Sequence, residues 1–211
     1  MSRPTRDEQR DRLLEAALVH VPFDGWSRRS LRAGARDAGI DPAEARRLFP
    51  GGGDDLLAHL DAWADRRMLE HVKPAALHGL RMRERIAALV RARLEVLAPH
   101  REAMRRAVAA RLLPNNAIIG GSNLWRTVDV IWQAAGDRGA DFSYYTKRAL
   151  LAAVWSGTFL YWLEDRSPAN IDTWAFLERR IDDVMQIGGA GKRLDDVLGG
   201  LSRLNPLRSG R

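Results

Sequence analysis

Acid–base and metal chemistry would fall first to the five histidines, His20, His59, His71, His78 and His100. No two of them bracket a glutamate in the His-Glu-x-x-His spacing that sets two imidazoles on one helix face. Asp55 and His59 stand one turn apart and read as a surface pair. Asp182-Asp183 and Asp195-Asp196 are adjacent in sequence, so each pair diverges around its helix and cannot share a proton as a catalytic dyad does. The chain has no cysteine, which removes disulfides, thiolate zinc sites and a thiol nucleophile. No nucleophile elbow, dinucleotide fingerprint or P-loop is present. Gly51, Gly52 and Gly53 precede a helix as a phosphate cradle would, but Asp54 and Asp55 already put carboxylates at that helix N-terminus. These residues describe a binding protein rather than an enzyme, with no cofactor and no metal expected.

The net charge of +7 is unevenly spread over the 211 residues. Between Lys73 and Leu113, Lys73 and Arg81, Arg83, Arg85, Arg91, Arg93, Arg101, Arg105, Arg106 and Arg111 face only Glu84, Glu95 and Glu102. Such a window fits attraction to anionic lipid or to nucleic acid, or simply Arg-rich solvated helices; charge does not separate them. The opening MSRPTRDEQRDRL is charged, lacking both the apolar core of a secretory signal and the acid-poor character of a transit peptide. A cytoplasmic protein of bacterial type is the expectation.

The elements that must position these residues are helical. Apolar residues recur at helical spacing nearly throughout, and no alternating segment bounded by turn signals marks a strand. The expected fold is all-α, about nine helices, spanning roughly 7–20, 27–38, 42–49, 54–70, 81–97, 100–112, 123–135, 142–164 and 171–187, with a short further helix at 192–204. Pro50 with the three glycines, Pro74, Pro99, Pro114 and Ser167-Pro168 punctuate them. Asp141 is the expected N-cap of the helix at 142–164. Three units follow: an N-terminal module at 1–72, a helical body at 73–188, and a glycine joint with a terminal helix at 189–211. The longest nearly apolar run, Ala149 to Leu163, has 15 residues and contains Ser156, Gly157 and Thr158. A spanning helix needs about 20, so no membrane span is expected.

The segment GWSRRSLRAGARDAGIDPAEARRLFPGGGDDLL reads as a helix, a tight turn at Gly39, and a short second helix closed by Phe49-Pro50. It resembles the N-terminal module of TetR-type regulators, in which a Gly-aromatic pair, here Gly25-Trp26, precedes the first of these helices. It departs from them where a Lys usually follows Phe-Pro to hold a DNA phosphate: this chain has Asp54 and Asp55. The second helix offers Arg46 and Arg47, which can read guanine; a TetR-type DNA-binding regulator with a lipophilic effector pocket is the alternative reading, although nucleic acid is not the expected partner.

Three later stretches, RLEVLAPHREAMRRAVAARLLPNN, VDVIWQAAGDRGADFSYYTKRALLAAVW and DRSPANIDTWAFLERRIDDVM, resemble the family of ubiquinone-biosynthesis accessory proteins that keep a TetR-like fold and bind lipid. The resemblance runs from Leu94 to about Met185. It implies an all-helical homodimer with an apolar cavity for an isoprenoid quinone or a phospholipid, and a di-iron quinone hydroxylase as partner. The family's partner-facing patch falls on Asp129, Ile131, Tyr144, Tyr145, Lys147 and Arg148. Lys147 stands where Arg is common, and a Lys does not reproduce a bidentate contact. The TetR-like architecture places the dimer interface on the helices at 142–164 and 171–187.

On a helical projection, Tyr144, Arg148, Leu151, Trp155 and Trp162 share one side, and Tyr145, Ala149, Ala152, Ser156, Phe159 and Leu163 share another. The small residues among them leave volume that neighbours or a ligand must fill, because apolar voids are costly. Candidate cavity walls are Leu94, Leu97, Trp125, Val128, Trp132, Leu150, Trp155 and Phe159. In the terminal segment, Leu194, Val197, Leu198, Leu201 and Leu204 repeat at helical spacing beside Lys192, Arg193 and Arg203, the pattern of an interfacial helix. The resemblance likewise implies a membrane-binding helix there, and hence a peripheral protein of a bacterial inner membrane.

Overall fold

The Thr5 hydroxyl accepts the Glu8 N–H while the Glu8 carboxylate accepts the Thr5 N–H, a reciprocal cap that starts α1 (Arg6–Leu18). The computed structural model describes residues 4–112, 114–137 and 143–185. Asp141 and the terminal helix with Lys192, Arg193, Leu194, Val197, Leu198, Leu201, Arg203 and Leu204 lie outside them. A single turn, α2 (Val21–Asp24), leads into α3 (Arg28–Asp37), capped by the Ser27 hydroxyl, and α4 (Pro42–Leu48), capped by the Asp41 carboxylate at 2.7 Å from the Ala43 N–H. Gly39 makes the turn between α3 and α4 with φ +64°, a conformation that disfavours any side chain. A Cβ at Gly34 would stand 2.6 Å from the Ala17 backbone, so α1 and α3 pack at the closest approach that glycine allows. The helix-turn-helix read from the sequence is therefore present and rigidly seated.

α5 (Gly53–His71) buries Leu56, Leu57, Leu60, Ala64 and Met68 and packs against α1 on one side and the body on the other. The short α6 (Pro74–Leu77) precedes α7 (Met82–Leu97), α8 (Arg101–Arg111), α9 (Pro114–Ala135) and α10 (Ser143–Glu164); residues 171–185 form α11. One apolar core runs without interruption from Leu13 in α1 to Ile181 in α11. No strand occurs among the described residues, and no helix there is long and apolar enough to cross a membrane.

Two expectations change. The helix expected from residue 123 starts at Pro114. Pro at a first helical position needs no N–H partner, and the Asn116 amide donates to the Ala110 carbonyl at 3.2 Å and to Asp54 at 3.3 Å, overriding the weak propensity of Asn115, Gly120 and Gly121. Nor is His59 part of a surface pair with Asp55. It is buried, with Nε2 2.7 Å from an oxygen of Asp11, and burial holds its pKa below the usual histidine range despite that carboxylate. Asp55 turns back instead to accept the Gly51 N–H at 2.7 Å.

The start of α11 is fixed by Asp165. Burial opposes its ionisation, yet the Thr173 hydroxyl at 2.5 Å and the Ser167 and Thr173 N–H groups at 2.7 and 3.0 Å outweigh that and hold its pKa at about 2.

Candidate functional site

α10 follows a strict stripe: Leu151, Val154, Trp155, Thr158, Phe159, Trp162 and Leu163 are buried, while Ala149, Ala153, Leu160 and Tyr161 face out. The first turn of the same helix continues the buried side with Arg148. Its guanidinium is 2% exposed and donates from Nε to Asp129 Oδ1 at 2.7 Å, with Nη2 2.5 Å from the same oxygen. The Tyr144 hydroxyl donates to that oxygen at 3.2 Å, and the Gln133 amide donates to Oδ2 at 2.6 Å. The guanidinium also lies 3.2 Å from the centre of the Tyr144 ring, a cation–π contact in a desolvated place. Every torsion that could swing Tyr144 away is thereby opposed by a charge-assisted bond.

Tyr144 in turn supports Tyr145 edge-on, with ring centres 5.1 Å apart, and Tyr145 stacks on Trp125 of α9 at 6.1 Å. Tyr145 is 70% exposed. Beside it, the Trp132 indole N–H donates to the Lys147 carbonyl at 3.2 Å, and Lys147 Nζ reaches Asp137 at 2.9 Å. The result is a platform of aromatic rings whose outer face is open and whose inner face is bonded to a buried arginine. Of the residues expected to form a partner-facing patch, Asp129, Tyr144, Tyr145, Lys147 and Arg148 come together here. Ile131 is fully buried behind them and has no outward face.

A second feature adjoins the platform along α10. Val108, Arg111 and Leu112 of the α8 end, Gly120, Leu124 and Thr127 of α9, and Trp155, Ser156, Phe159 and Leu160 of α10 enclose a cleft of about 210 Å³, with Asp61 of α5 at its floor. Leu112 is 79% and Leu160 52% exposed at its rim. Of the eight expected cavity walls, Trp155 and Phe159 line this cleft, stacked at 5.7 Å. Leu94, Leu97, Val128 and Trp132 are packed in the core, Leu150 is half-buried, and Trp125 belongs to the platform. Leu112, Leu124, Thr127 and Leu160 were not singled out from the sequence.

The floor of the cleft is ionic. Arg93 of α7 donates from Nε to Asp65 at 2.8 Å and from Nη2 to Asp61 and to Thr127 Oγ1, both at 3.3 Å; its guanidinium lies 4.5 Å from the Trp155 ring centre. Arg111 pairs with Asp61 at 2.7 Å. Asp61 and Asp65 sit one turn apart inside the buried stripe of α5, and Arg93 sits between Val90 and Leu94 in that of α7. Charges embedded in an apolar stripe must be paired with one another; that signal was available in the sequence. The site holds no nucleophile–base pair, and no three acidic or histidine side chains gather as metal ligands among the described residues.

A model of the COQ9 family matches residues 119–188, the segment carrying both the platform and the α9–α10 side of the cleft. The Xenopus laevis "Ubiquinone biosynthesis protein COQ9-B, mitochondrial" is 34% identical over 197 residues, covering 90% of this chain and 67% of the relative. The chain belongs to the COQ9 family. The human and Drosophila melanogaster COQ9 proteins are also each 34% identical; the alignments cover 90% and 86% of this chain but 62% and 56% of those relatives. The chain thus spans about 62% of the human COQ9 protein's length. The crystal structure of the TetR transcriptional regulator from Nitrosomonas europaea ATCC 19718 superposes with a TM-score of 0.68, covering 84% of this chain and 98% of the regulator at 24% identity. This COQ9 chain therefore has the TetR-like helical fold, and the likeness to the regulator is one of fold alone.

Proposed function

We propose that the chain is a non-catalytic accessory protein of ubiquinone biosynthesis that takes an isoprenoid quinone intermediate from the membrane and presents it to the di-iron quinone hydroxylase. The observation that carries the reading is the adjacency, on one pair of helices within the COQ9-matched segment, of an open aromatic platform and an apolar cleft. Exposed Tyr and Trp held rigid over a buried Arg are the composition of an interface hot spot. The cleft is smaller than the roughly 300–1,000 Å³ of ordinary ligand pockets, which suits one end of a long lipid while the remainder runs out past Leu112 and Leu160. The apolar and basic pattern at 192–204, outside the described residues, is assigned to peripheral attachment at the membrane, and the chain to a homodimer built on α10 and α11, where Tyr161 and Ile171 are exposed.

Organic extraction of the purified chain followed by mass spectrometry is expected to recover an isoprenoid quinone or phospholipid in stoichiometric amount. Replacing Leu112 and Leu160, both exposed at the rim of the cleft, with charged residues should lower it without unfolding the chain. Recovery of no lipid, together with vesicle flotation indifferent to removal of residues 190–211, would sink the reading.

A further inference from the structure

The ligand cleft and platform leave a cluster of exposed arginines on α3 and α4 unused. Between α3 and α4 lies a groove of about 510 Å³ lined by Arg29, Arg32, Arg36 and Arg46, with His20 and Asp24 at one end. The acids near it are engaged: Asp24 stands 3.5 Å from Arg29, Asp37 is 2.5 Å from His20, and Asp41 accepts the Ala43 and Glu44 N–H groups at the head of α4. Glu44 is half-buried beside them. Arg32, Arg36, Arg46 and the neighbouring Arg47 make no ion pair and no side-chain hydrogen bond among the described residues. Arg32 and Arg36 are moreover one turn apart on α3, where like charges repel. An arrangement of this kind is completed by an external anion.

At the same edge stand Val19, 62% exposed, and Phe23, 84% exposed, the most exposed large apolar side chain described. They adjoin His20 and Asp24 in sequence, two residues that line the groove. A bare phenylalanine flanked by unpaired arginines is the composition of a surface that enters the headgroup region of a bilayer. We infer that the α3–α4 groove docks on anionic phospholipid, its arginines on the phosphates and Phe23 and Val19 seated among the headgroups, as a second membrane contact separate from the segment at 192–204.

Duplex DNA fits this surface less well. The loop after α4 offers Gly51 and Gly52 with no cation of its own, the Arg28 guanidinium beside it is bonded to the Pro50 carbonyl at 3.2 Å, and the Gly51 N–H that a phosphate could use is already taken by Asp55. α4 has only seven residues and leads with Pro42 and Glu44, so its forward end presents a carboxylate to any groove it entered. A bilayer demands no register, only charge and an apolar anchor, and each arginine close to an anionic surface is worth roughly fivefold in partitioning.

The chain has no cysteine, so a thiol placed at residue 23 is unique. Full-length Phe23→Cys carrying a nitrobenzoxadiazole label would be titrated with phosphatidylcholine vesicles, with vesicles that also contain phosphatidylglycerol, and with duplex DNA. Val19→Cys repeats the measurement at the second anchor. The expected result is a blue-shifted, brighter emission with the anionic vesicles alone. Arg32→Ala with Arg36→Ala and Arg46→Ala should raise the vesicle concentration needed by roughly 10- to 100-fold, with the helical circular dichroism unchanged. If the chain floats with anionic vesicles while the label stays as in water, this inference falls and the lipid-presenting reading stands. A spectral change with DNA and none with vesicles would assign the groove to nucleic acid and overturn it equally.

Discussion

Arg93 and Arg148 are both buried, both paired with aspartate, and both set against an aromatic ring, at 4.5 Å from Trp155 and 3.2 Å from Tyr144. Their surroundings separate them. Arg93 is enclosed by Asp61, Asp65 and Thr127, and its network closes on Arg111 within the protein. Arg148 has one carboxylate, and its network ends at Tyr145, which is open to solvent. The same guanidinium chemistry thus serves as an interior clamp joining α5, α7 and α9 in one case. In the other it stiffens an aromatic surface that is open to solvent.

That contrast can be broken. Arg93→Ala would leave two buried carboxylates without their central cation and should cost about 3–5 kcal/mol, read from urea unfolding followed by circular dichroism. Tyr145→Ala should leave unfolding within about 0.5 kcal/mol of the parent but weaken hydroxylase binding by about 2 kcal/mol, measured by titration calorimetry. A large loss of stability at Tyr145, or none at Arg93, would erase the distinction. Arg148→Lys keeps the charge but loses the planar fork, and should cost about 1 kcal/mol of stability with a parallel loss of partner affinity.

The pH response should follow the same division. Burial keeps His59 and His100 below the usual histidine range, so the unfolded chain takes up protons first as pH falls. Their contribution is fully present above about pH 6.5, the unfolded value, and fades as pH drops toward the lower folded values. The unfolding midpoint should therefore decline between pH 7 and 5, and His59→Gln should flatten that decline. Arg148→Lys should leave its shape alone. Smallest of all, Thr158 is fully buried with no partner for its hydroxyl among the described residues, so Thr158→Val should gain about 1 kcal/mol in the same unfolding assay.

The helix-turn-helix and the long aromatic helix were legible because their signals are local: the tight turn at Gly39, the Phe49-Pro50 stop, and the stripe of α10 at helical spacing. The resemblance names Asp129, Tyr144, Tyr145, Lys147 and Arg148 together, but Trp125 reads from the sequence as a cavity wall, and the resemblance says nothing of how the five divide between inside and outside. Nothing in the order of residues says that Arg148 is inside and Tyr145 outside, because Asp129 comes to Arg148 only when α9 and α10 pack. The cleft was harder still. Trp155 and Phe159 stood out as bulky residues on an apolar helix, whereas Leu112 and Leu124 look like any helical leucine until α8 ends beside α10. Leu94 and Val128 satisfy the same pattern and are ordinary core. The start of α9 was missed because tertiary bonds from Asn116 and Asn123 decide it against local propensity.

α5 ends the N-terminal module in sequence, yet Asp61 and Asp65 on it neutralise Arg93 and Arg111 in the body. The module is in this sense the counter-ion of its neighbour. A lineage free to alter every residue that α3 and α4 present to the outside would still have to inherit the helix-turn-helix with its last helix attached. Excision of the module through the whole of α5 would strand Arg93 and Arg111 beneath the cleft, so surface motif and scaffold are under separate constraint even though they share one chain.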